Sequence, residues 1–403
     1  MSMIDPSLIA PLPPEAYWQS EWLGREQQTV FRDNWIFAGF ADSLANHNDY
    51  IALTVAGTPV VVRNMKGKLV AFRNVCSHRH SIIHPAGCGN AMFRCPYHGW
   101  TYDDAGVPIG IPDNANSFGL DKEGRRMLAL DPVAVDQCGR FVFVRLTAQG
   151  PSLKEWLGPM VSKLDHISSL CTAIYAHDDH AWATNWKSGI EIALESYHSP
   201  FVHPTTFSTH IDVMESPDGE ATPTIKVASS PDKSDRSTDD MDVLGHEEYG
   251  HCYSIGYGPL SFDSSYSLQA TARRLKLPRS DHVRGYEHYF IYPNLQIGIN
   301  SGINFSAIRY EPVTPDLTRV ACWLLTGEPA DAKLRDGIMW RTVTKGWDDW
   351  NQLVLAEDRR ACEATQAGMR YARQRAVLGR EEDRVRHFQS LISEQMIQNR
   401  KAA

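Results

Sequence analysis

The sequence lacks several features that would each have indicated a class of protein. Its 403 residues include only eight Cys, too few for a disulfide scaffold, so we expect free thiols in a reducing compartment. A net charge of -8 gives no general reason to expect binding to nucleic acids or anionic membranes, although it leaves room for a local basic patch. No run of eighteen uncharged apolar residues occurs, and no basic segment followed by an apolar run opens the chain. We therefore expect a cytoplasmic protein that binds neither nucleic acid nor membrane.

Dinucleotide-binding motifs are absent as well. No G-x-G-x-x-G follows a strand and opens a helix, and no flavin motif is recognisable. We therefore expect that the chain does not take hydride from a nicotinamide itself. Its composition, 42% hydrophobic and 22% charged, is that of a folded protein long enough for two domains.

Cys and His residues crowd into residues 74–103, "NVCSHRHSIIHPAGCGNAMFRCPYHGWTYD". Cys76 and His78 form C-x-H, and after 16 residues Cys95 and His98 form C-x-x-H. Ligands this close in a tight loop converge on one point, and the flanking runs alternate as strands that can carry the two loops. A structural zinc accepts such a set. So does a two-iron, two-sulfur cluster with two Cys on one iron and two His on the other.

The pair "CSHRH" and "CPYHGW" resembles the cluster motif of the Rieske non-haem iron oxygenases. The resemblance implies one 2Fe-2S cluster on those four residues. Respiratory Rieske proteins carry an additional Cys in each loop and join the two in a disulfide. Here Ser81 and Tyr97 occupy those places, which favours the oxygenase branch. We do not expect His80, His84 or Cys88 to be ligands, because the set is complete without them.

A second motif follows at residues 185–204, "NWKSGIEIALESYHSPFVHP". Its periodicity predicts a helix up to Ser199 that Pro200 ends or kinks. By itself the H-x-x-x-x-H pair of His198 and His203 is weak. Its surroundings resemble the mononuclear-iron motif of the same oxygenases, which implies that both His bind Fe(II) together with a distant carboxylate. Such a facial triad leaves open positions for dioxygen.

The third ligand is expected in "WDDWNQLVLAEDRRACEATQAGM", where Asp348, Asp349, Glu357 and Asp358 can each reach a metal. In the family the ligand acid lies in a segment resembling "ED-x-x-x-x-E-x-x-Q-x-G", which implies Asp358. The other early acids, Asp348 and Asp349, are expected to cap the helix or to face solvent.

The resemblance also assigns a role to Glu195, three residues before His198. An acid at this position in the family bridges a cluster His of one subunit and an iron ligand of the next. Carried over, Glu195 links His98 of the partner subunit to His198, which implies a homotrimer with subunits arranged head to tail. The spacing of Glu191 and Glu195 resembles the carnitine, choline and betaine oxygenase branch, which needs no small beta subunit. Electrons are expected from a separate NAD(P)H-dependent reductase, with or without a ferredoxin.

The expected fold is α+β: a small antiparallel β Rieske domain and a catalytic domain whose curved antiparallel sheet is flanked by helices, a START-like helix grip. We predict an N-terminal helical segment at 1–40 that packs on the catalytic domain, a Rieske domain at 41–150 and a catalytic mononuclear iron domain at 151–403. Residues 215–242 are polar and contain Pro, which predicts a loop, either a lid over the iron or a plain insertion.

The expected activity is hydroxylation of a small organic substrate, and an aromatic acid or phenol is the favoured reading. Oxidative N- or O-demethylation and quaternary-ammonium oxidation form the alternative, and an electron-transfer protein without oxygenase activity is a remote one. Arg273, Arg274 or Arg309 can hold a carboxylate. Aromatic pocket walls suit a planar ring or a quaternary ammonium, and the candidates are Tyr197, Phe201, Phe207, Tyr253, Tyr257, Phe290, Tyr292, Phe305 and Trp323.

Overall fold

The computed structural model describes residues 4–207, 211–215, 221–225, 247–258, 262–278 and 285–402. Contacts separate the chain into two compact units, Glu26–Ser168 and Met1–Arg25 together with Ser169–Ala403. The predicted domain boundaries at 40 and 150 stay predictions, whereas these units divide at 25/26 and 168/169. The predicted loop 215–242 lies outside the described residues, except for parts of a two-stranded hairpin described below.

The first unit is built on one antiparallel sheet of seven strands in the order β1-β9-β8-β4-β3-β2-β5, with a second sheet formed by β6 and β7. Helix α1, Ser20–Glu26, ends where the unit begins. The strands are β1 Ile36–Phe40, β2 Asp49–Val55, β3 Thr58–Met65, β4 Lys68–Arg73, β5 Gly87–Asn90, β6 Thr101–Tyr102, β7 Pro108–Gly110, β8 Pro132–Cys138 and β9 Phe141–Arg145. The helices are α2 Asn114–Ser117, α3 Lys122–Met127, α4 Leu153–Leu157 and α5 Met160–Leu170.

Strands β1, β3 and β9 carry runs of buried apolar residues such as Val60, Val61 and Val62, because both of their faces are covered. The loops that follow β4 and β5 close over the sheet. Their Cys76 and Cys95 belong to the same buried cluster as residues of β2, β3 and β4. The two Cys-His segments therefore stand on the hydrophobic core of this unit.

The second unit contains a seven-stranded antiparallel sheet in the order β10-β18-β17-β16-β15-β14-β13 and the hairpin β11-β12. Its strands are β10 Ala173–Trp182, β11 Ile211–Glu215, β12 Ala221–Ile225, β13 Glu247–Tyr249, β14 Tyr253–Gly258, β15 Tyr286–Ile291, β16 Leu295–Asn300, β17 Asn304–Thr314 and β18 Leu317–Thr326. Its helices are α6 Trp186–Glu191, α7 Ser199–Val202, α8 Phe262–Leu275, α9 Ala332–Arg335, α10 Ile338–Met369 and α11 Asp383–Ala402. The predicted α+β fold with antiparallel sheets is confirmed.

One face of this sheet meets α6, α10 and α11, and α10 carries the predicted iron ligand Asp358. Gln296 donates to a backbone carbonyl of α6, Cys322 contacts α10, and Phe290 packs against α11. Since side chains alternate along each strand, these three residues define a single face, which we call the site face.

The N-terminal segment packs on the second unit. The Tyr17 carbonyl accepts hydrogen bonds from Asn185 and Gln366, and the Tyr17 hydroxyl donates to Glu191 at 2.5 Å. Burial raises the pKa of Glu191, although the hydrogen bonds from Tyr17 and Gln389 oppose this. Glu191 therefore anchors the N-terminal segment. Within the described ranges, no helix combines the length and apolar character needed to cross a bilayer.

Candidate metal centres

The two Cys-His loops have the same backbone geometry. In each loop the Cys carbonyl accepts from the amide four residues later, His80 at 2.9 Å and Gly99 at 3.0 Å. Each Cys amide donates to the carbonyl five residues later, on Ser81 and Trp100. His80 and Gly99 both have positive φ, 60° and 72°, which closes the loop after its His. The paired geometry presents the two halves of the ligand set in the same way.

The four predicted cluster ligands lie together. The rings of His78 and His98 are 4.7 Å apart between centroids, and His78 stacks on Trp100. Cys76 and Cys95 are both buried and free. The Nδ1 atoms of His78 and His98 are buried and form no hydrogen bond to any residue in the described part of the chain. Two orphaned imidazole nitrogens beside two buried thiols fit a cluster with one Cys-bound and one His-bound iron.

Tyr102, which the sequence analysis did not single out, approaches this site from β6. Its hydroxyl lies 3.0 Å from Cys76 Sγ and accepts from the Ser77 amide at 3.2 Å. Burial raises the pKa of Cys76, whereas the Tyr102 contact lowers it. Hydrogen bonds to cluster sulfurs tune the reduction potential, so Tyr102 is placed to do so. The feature of the sequence that could have indicated this contact is Tyr102 in "GWTY", directly after the second loop.

The remaining residues of this segment lie apart from the ligand set. His84 is buried, stacks on Tyr50 and contacts the Arg63 guanidinium. Burial, and then the Arg63 charge, lower the pKa of His84 to about 4. Cys88 is exposed on β5, and the side chain of His80 is exposed. That none of the three is a ligand stays a prediction.

The second motif folds differently from the predicted continuous helix. Helix α6 ends at Glu191, a 3₁₀ turn follows over Ile192–Leu194, and Glu195 is extended. A separate short helix, α7, then starts at Ser199. Pro200 therefore lies in the first turn of a new helix, where its missing amide costs nothing, rather than at the end of the old one. The Glu195 carboxylate holds the intervening turn by accepting from the His198 amide at 3.0 Å.

The structure brings His198, His203 and Asp358 together across 160 residues of sequence. One ligand atom from each lies within 4.8 Å of the other two. Asp358 Oδ1 is 3.0 Å from His203 Nε2 and 3.7 Å from His198 Nε2, and the two Nε2 atoms are 3.3 Å apart. Asp358 lies on α10, whereas the two His flank α7.

Each of the two His is oriented by its own carboxylate. His198 Nδ1 donates to Glu195 Oε1 at 2.6 Å, and His203 Nδ1 donates to Glu357 Oε2 at 2.8 Å. With Nδ1 holding the proton, both Nε2 atoms carry the free lone pair that a metal needs. From the sequence, Glu357 was an alternative ligand, and its role in positioning His203 was not predicted. The feature of the sequence that could have indicated this role is the pair of adjacent acids at 357–358.

The charges around His203 suit a metal ligand set. Burial lowers the pKa of His203, but the Asp358 and Glu357 carboxylates outweigh it, so the pKa lies above its ordinary value. The pKa of Glu357 lies below its ordinary value. Burial raises this pKa, but the hydrogen bonds from Thr206 and His203 lower it by more. Asp358 Oδ1 is buried and has no hydrogen bond among the described residues. Two neutral imidazoles and one carboxylate on one side of a common point fit a mononuclear Fe(II) with open positions.

The other two candidate acids of α10, Asp348 and Asp349, lie elsewhere. Asp349 pairs with Lys345 at 2.7 Å, and Asp348 accepts from Gln352 one turn later. Both lie well inside α10, so the expectation that they cap its N-terminus is wrong, because the helix starts earlier, at Ile338. The solvent-facing alternative holds for Asp349, which is exposed.

Few of the candidate pocket residues share the site face. Tyr253, Tyr257, Phe305 and Trp323 alternate with site-face residues and therefore point to the opposite face. Arg309 lies on that opposite face too, over the Trp323 ring, and Arg273 and Arg274 are exposed on α8. Among the aromatic candidates, Phe207 contacts a predicted ligand, with its ring centroid 4.6 Å from that of His203.

Comparison with known proteins supports the same reading. Residues 34–129 match the Rieske [2Fe-2S] domain family, and residues 171–398 match the ring-hydroxylating alpha subunit catalytic domain family. The glycine betaine monooxygenase oxygenase subunit of Chromohalobacter salexigens is 31% identical over 53% of this chain and 47% of its own length. The carnitine monooxygenase oxygenase subunit of Acinetobacter pittii is 29% identical over 50% of this chain and 54% of its own length. The matches thus span about half the length of these relatives.

Two further similarities extend the comparison. The N,N-dimethyl phenylurea N-demethylase alpha subunit of a Sphingobium strain is 29% identical over 48% of this chain and 43% of its own length. A crystal structure of the quaternary ammonium Rieske monooxygenase CntA superposes with a TM-score of 0.72 at 20% identity, covering 95% of this chain and 94% of that one. This likeness shows a shared fold. The chain belongs to the ring-hydroxylating alpha subunits, a family of Rieske non-haem iron oxygenases whose cofactors are one 2Fe-2S cluster and one mononuclear iron.

Proposed function

We propose that the protein is a terminal oxygenase that removes a methyl group from a small methylated amine or quaternary ammonium compound by oxidation. The observation that carries the oxygenase part is the convergence of His198, His203 and Asp358 within 4.8 Å. The substrate class is supported by the names of the relatives, which include betaine and carnitine monooxygenases and an N-demethylase. Ring hydroxylation of an aromatic acid or phenol, the favoured sequence reading, has less support than this alternative.

The residues at the iron site have separate tasks. When bound, the iron activates dioxygen, so that one oxygen atom enters a C–H bond and the other leaves as water with two protons and two electrons. Asp358 and the Nε2 atoms of His198 and His203 hold one side of the metal. Glu195 and Glu357 fix the tautomer and orientation of the two imidazoles. A hydroxylated N-methyl group then separates into formaldehyde and the demethylated amine.

Electron supply is proposed to follow the family pattern. Cys76, His78, Cys95 and His98 bind the cluster, which receives electrons from a partner reductase. Glu195 holds His198 through both oxygens, Oε1 at the ring and Oε2 at the backbone amide, and the same carboxylate is proposed to meet His98 of the partner subunit in a homotrimer. The alternative of an electron-transfer protein without oxygenase activity is disfavoured, because it gives no role to His198, His203 and Asp358.

A single turnover tests the activity. Protein loaded with both cofactors is reduced without oxygen, mixed with oxygen and a panel of N-methylated and aromatic compounds, and assayed for formaldehyde and product mass. Formaldehyde in stoichiometric yield with a demethylated product supports the proposal, and Asp358→Ala should give none while retaining the cluster spectrum. An oxygenated aromatic product without formaldehyde would replace it with the ring-hydroxylation reading. If the protein consumes oxygen with none of the compounds, the electron-transfer alternative is supported instead.

A further inference from the structure

The site face carries small residues along one row. Gly256, His288, Gly298 and Ser306 are paired neighbours across the four strands β14 to β17. Two of the four have no side chain. A Cβ at Gly298 would lie 2.8 Å from Ser306 Oγ and 3.3 Å from the Tyr286 hydroxyl, so polar groups already converge over this glycine.

The two ends of this row are partly exposed. Gly256 and Ser306 are half-buried, whereas His288 and Gly298 between them are buried. Along β17, Ser306 and Ile308 on the site face are half-buried, while Phe305, Ala307 and Arg309 on the opposite face are buried. A partly polar face with small residues, which also meets the helix of a predicted metal ligand, is where a small substrate fits.

Arg384, in the first turn of α11, reaches over this row. Its Nη1 atom would be 2.6 Å from a Cβ at Gly256. Its Nε donates to Ser254 Oγ, and its Nη2 donates to the carbonyls of Ser254 and His288, all at 3.1 to 3.2 Å. The side chain is 4% exposed. Its position is thus fixed by the backbone of β14 and β15.

The Arg384 charge has no carboxylate partner in contact. Among the described residues, no Asp or Glu oxygen lies within 4.0 Å of it, and Nη1 forms no hydrogen bond. Burial lowers the pKa of Arg384 to about 10, and the more distant Glu247 carboxylate raises it, so the guanidinium stays charged at neutral pH. A buried cation that binds only neutral groups is costly unless an anion joins it.

His288 and Tyr286 add donors beside the Arg384 charge. His288 Nδ1 accepts from Arg384 Nη2 at 3.0 Å, so its proton is on Nε2, which has no hydrogen-bond partner in the described ranges. Burial and the Arg384 charge keep the pKa of His288 well below its usual value, so the ring is neutral. The Tyr286 hydroxyl over Gly298 is also without a described partner. Together they place several hydrogen-bond donors on this face, and Glu247, which pairs with Gly256 across β13 and β14, is a carboxylate whose charge also acts on Arg384.

This cluster and the predicted iron ligand Asp358 belong to elements that meet the same face of the sheet. Asn351 of α10 contacts Cys322, and Phe388 of α11 packs on Phe290, both on the site face. Asp358 lies on α10 and Arg384 on α11, so a substrate that lies along this face can be approached by both. Burial raises the pKa of Tyr286 to about 12, and the Arg384 charge lowers it while the Asp358 charge raises it, in agreement with this arrangement.

We propose that Arg384, with His288 beside it, binds a carboxylate of the substrate, so that the compound is a zwitterion with a methylated nitrogen at one end and a carboxylate at the other. This inference rests on the proposed demethylation and adds the second recognised group. Arg384 is then a specificity-determining residue that anchors the anionic end. The planar guanidinium of Arg384 can donate two parallel hydrogen bonds to a carboxylate, which a Lys ammonium cannot do.

Matched substrate pairs test the proposal. Glycine betaine and carnitine are compared with their methyl esters, which keep the ammonium and lose the negative charge. Binding to the enzyme with both cofactors is measured by calorimetry, and kcat/KM by formaldehyde release. The variants are Arg384→Gln and Arg384→Lys, and the matched control is Arg309→Gln, which removes a buried guanidinium from the opposite face. Thermal unfolding and the cluster spectrum report on folding.

The wild type should bind at least one carboxylate more tightly than its ester, and Arg384→Gln should remove about tenfold to a hundredfold of that preference, the value of a charged hydrogen bond. Arg384→Lys should retain part of it and Arg309→Gln all of it. Equal kcat/KM for acid and ester in the wild type, or a preference unchanged in Arg384→Gln, would overturn the inference while demethylation stands. Formaldehyde from neither member of any pair would instead count against the demethylase proposal, and calorimetry alone would then decide the Arg384 role.

Discussion

Removal of the Glu357 carboxylate is the sharpest test of how the iron site is held. Glu357 Oε2 accepts from His203 Nδ1 at 2.8 Å and from Thr206 Oγ1 at 2.6 Å. His203 is 1% exposed, so water has little access to replace the lost acceptor. A hydrogen bond to a charged group contributes about 1.5–3 kcal/mol, and loss of such an outer partner typically costs about 10–100-fold in metal affinity. We expect Glu357→Ala to weaken Fe(II) binding by about that factor.

The measurement is an anaerobic Fe(II) titration against a competing chelator, with the cluster absorbance as an internal reference. The cluster segment belongs to the other compact unit, so its absorbance should not change. Glu357→Gln keeps an acceptor oxygen without the charge and should fall between wild type and Glu357→Ala. Thr206→Val is the matched control, because it removes one contact of Glu357 and leaves His203 bonded. If Glu357→Ala binds Fe(II) as tightly as the wild type, the assignment of Glu357 as the His203 positioning group is refuted.

Four further predictions concern single side chains. Asp358→Ala should lose mononuclear iron in metal analysis but keep the cluster; retained iron would point to another acid as third ligand. Tyr102→Phe removes the contact 3.0 Å from Cys76 Sγ and should lower the cluster reduction potential in a redox titration. Phe388→Ala should lower the free energy of unfolding by about 3–5 kcal/mol in urea, since this ring is fully buried against Trp186 and Phe290. His84 has a folded pKa of about 4 against 6.5, so the unfolded chain binds the extra proton and stability should fall as pH drops through this window, less so in His84→Gln.

The sequence determined the cluster segment because its ligands are local. C-x-H and C-x-x-H each place one Cys and one His in a short loop, so their spacing predicted that these side chains meet, and the resemblance to the Rieske motif implied the cluster. The antiparallel, mixed character of the fold was also readable, since strand alternation and helical periodicity are local patterns. The family followed from two motifs in order along the chain.

The iron site depended on tertiary structure. Asp358 and Glu357 reach the two His from a helix more than 150 residues away, and four acids of that helix were equally close in sequence terms. Helix packing decides which of them face inward, and no local pattern contains that information. The break between α6 and α7 was missed for a related reason: the Glu195 carboxylate holds a turn that periodicity alone does not reveal.

The site face is the clearest case of a feature that the sequence does not specify. Alternation along β14 to β18 shows that every second residue shares a face, but not which face meets the metal. Most of the aromatic candidates on these strands, and Arg309, lie on the other face. Arg384 comes from α11, for which no local sequence pattern predicted a functional residue, yet the fold places its buried charge over Gly256. Local spacing thus predicted which Cys and His side chains meet, whereas the chemistry of the second site exists only where distant elements meet.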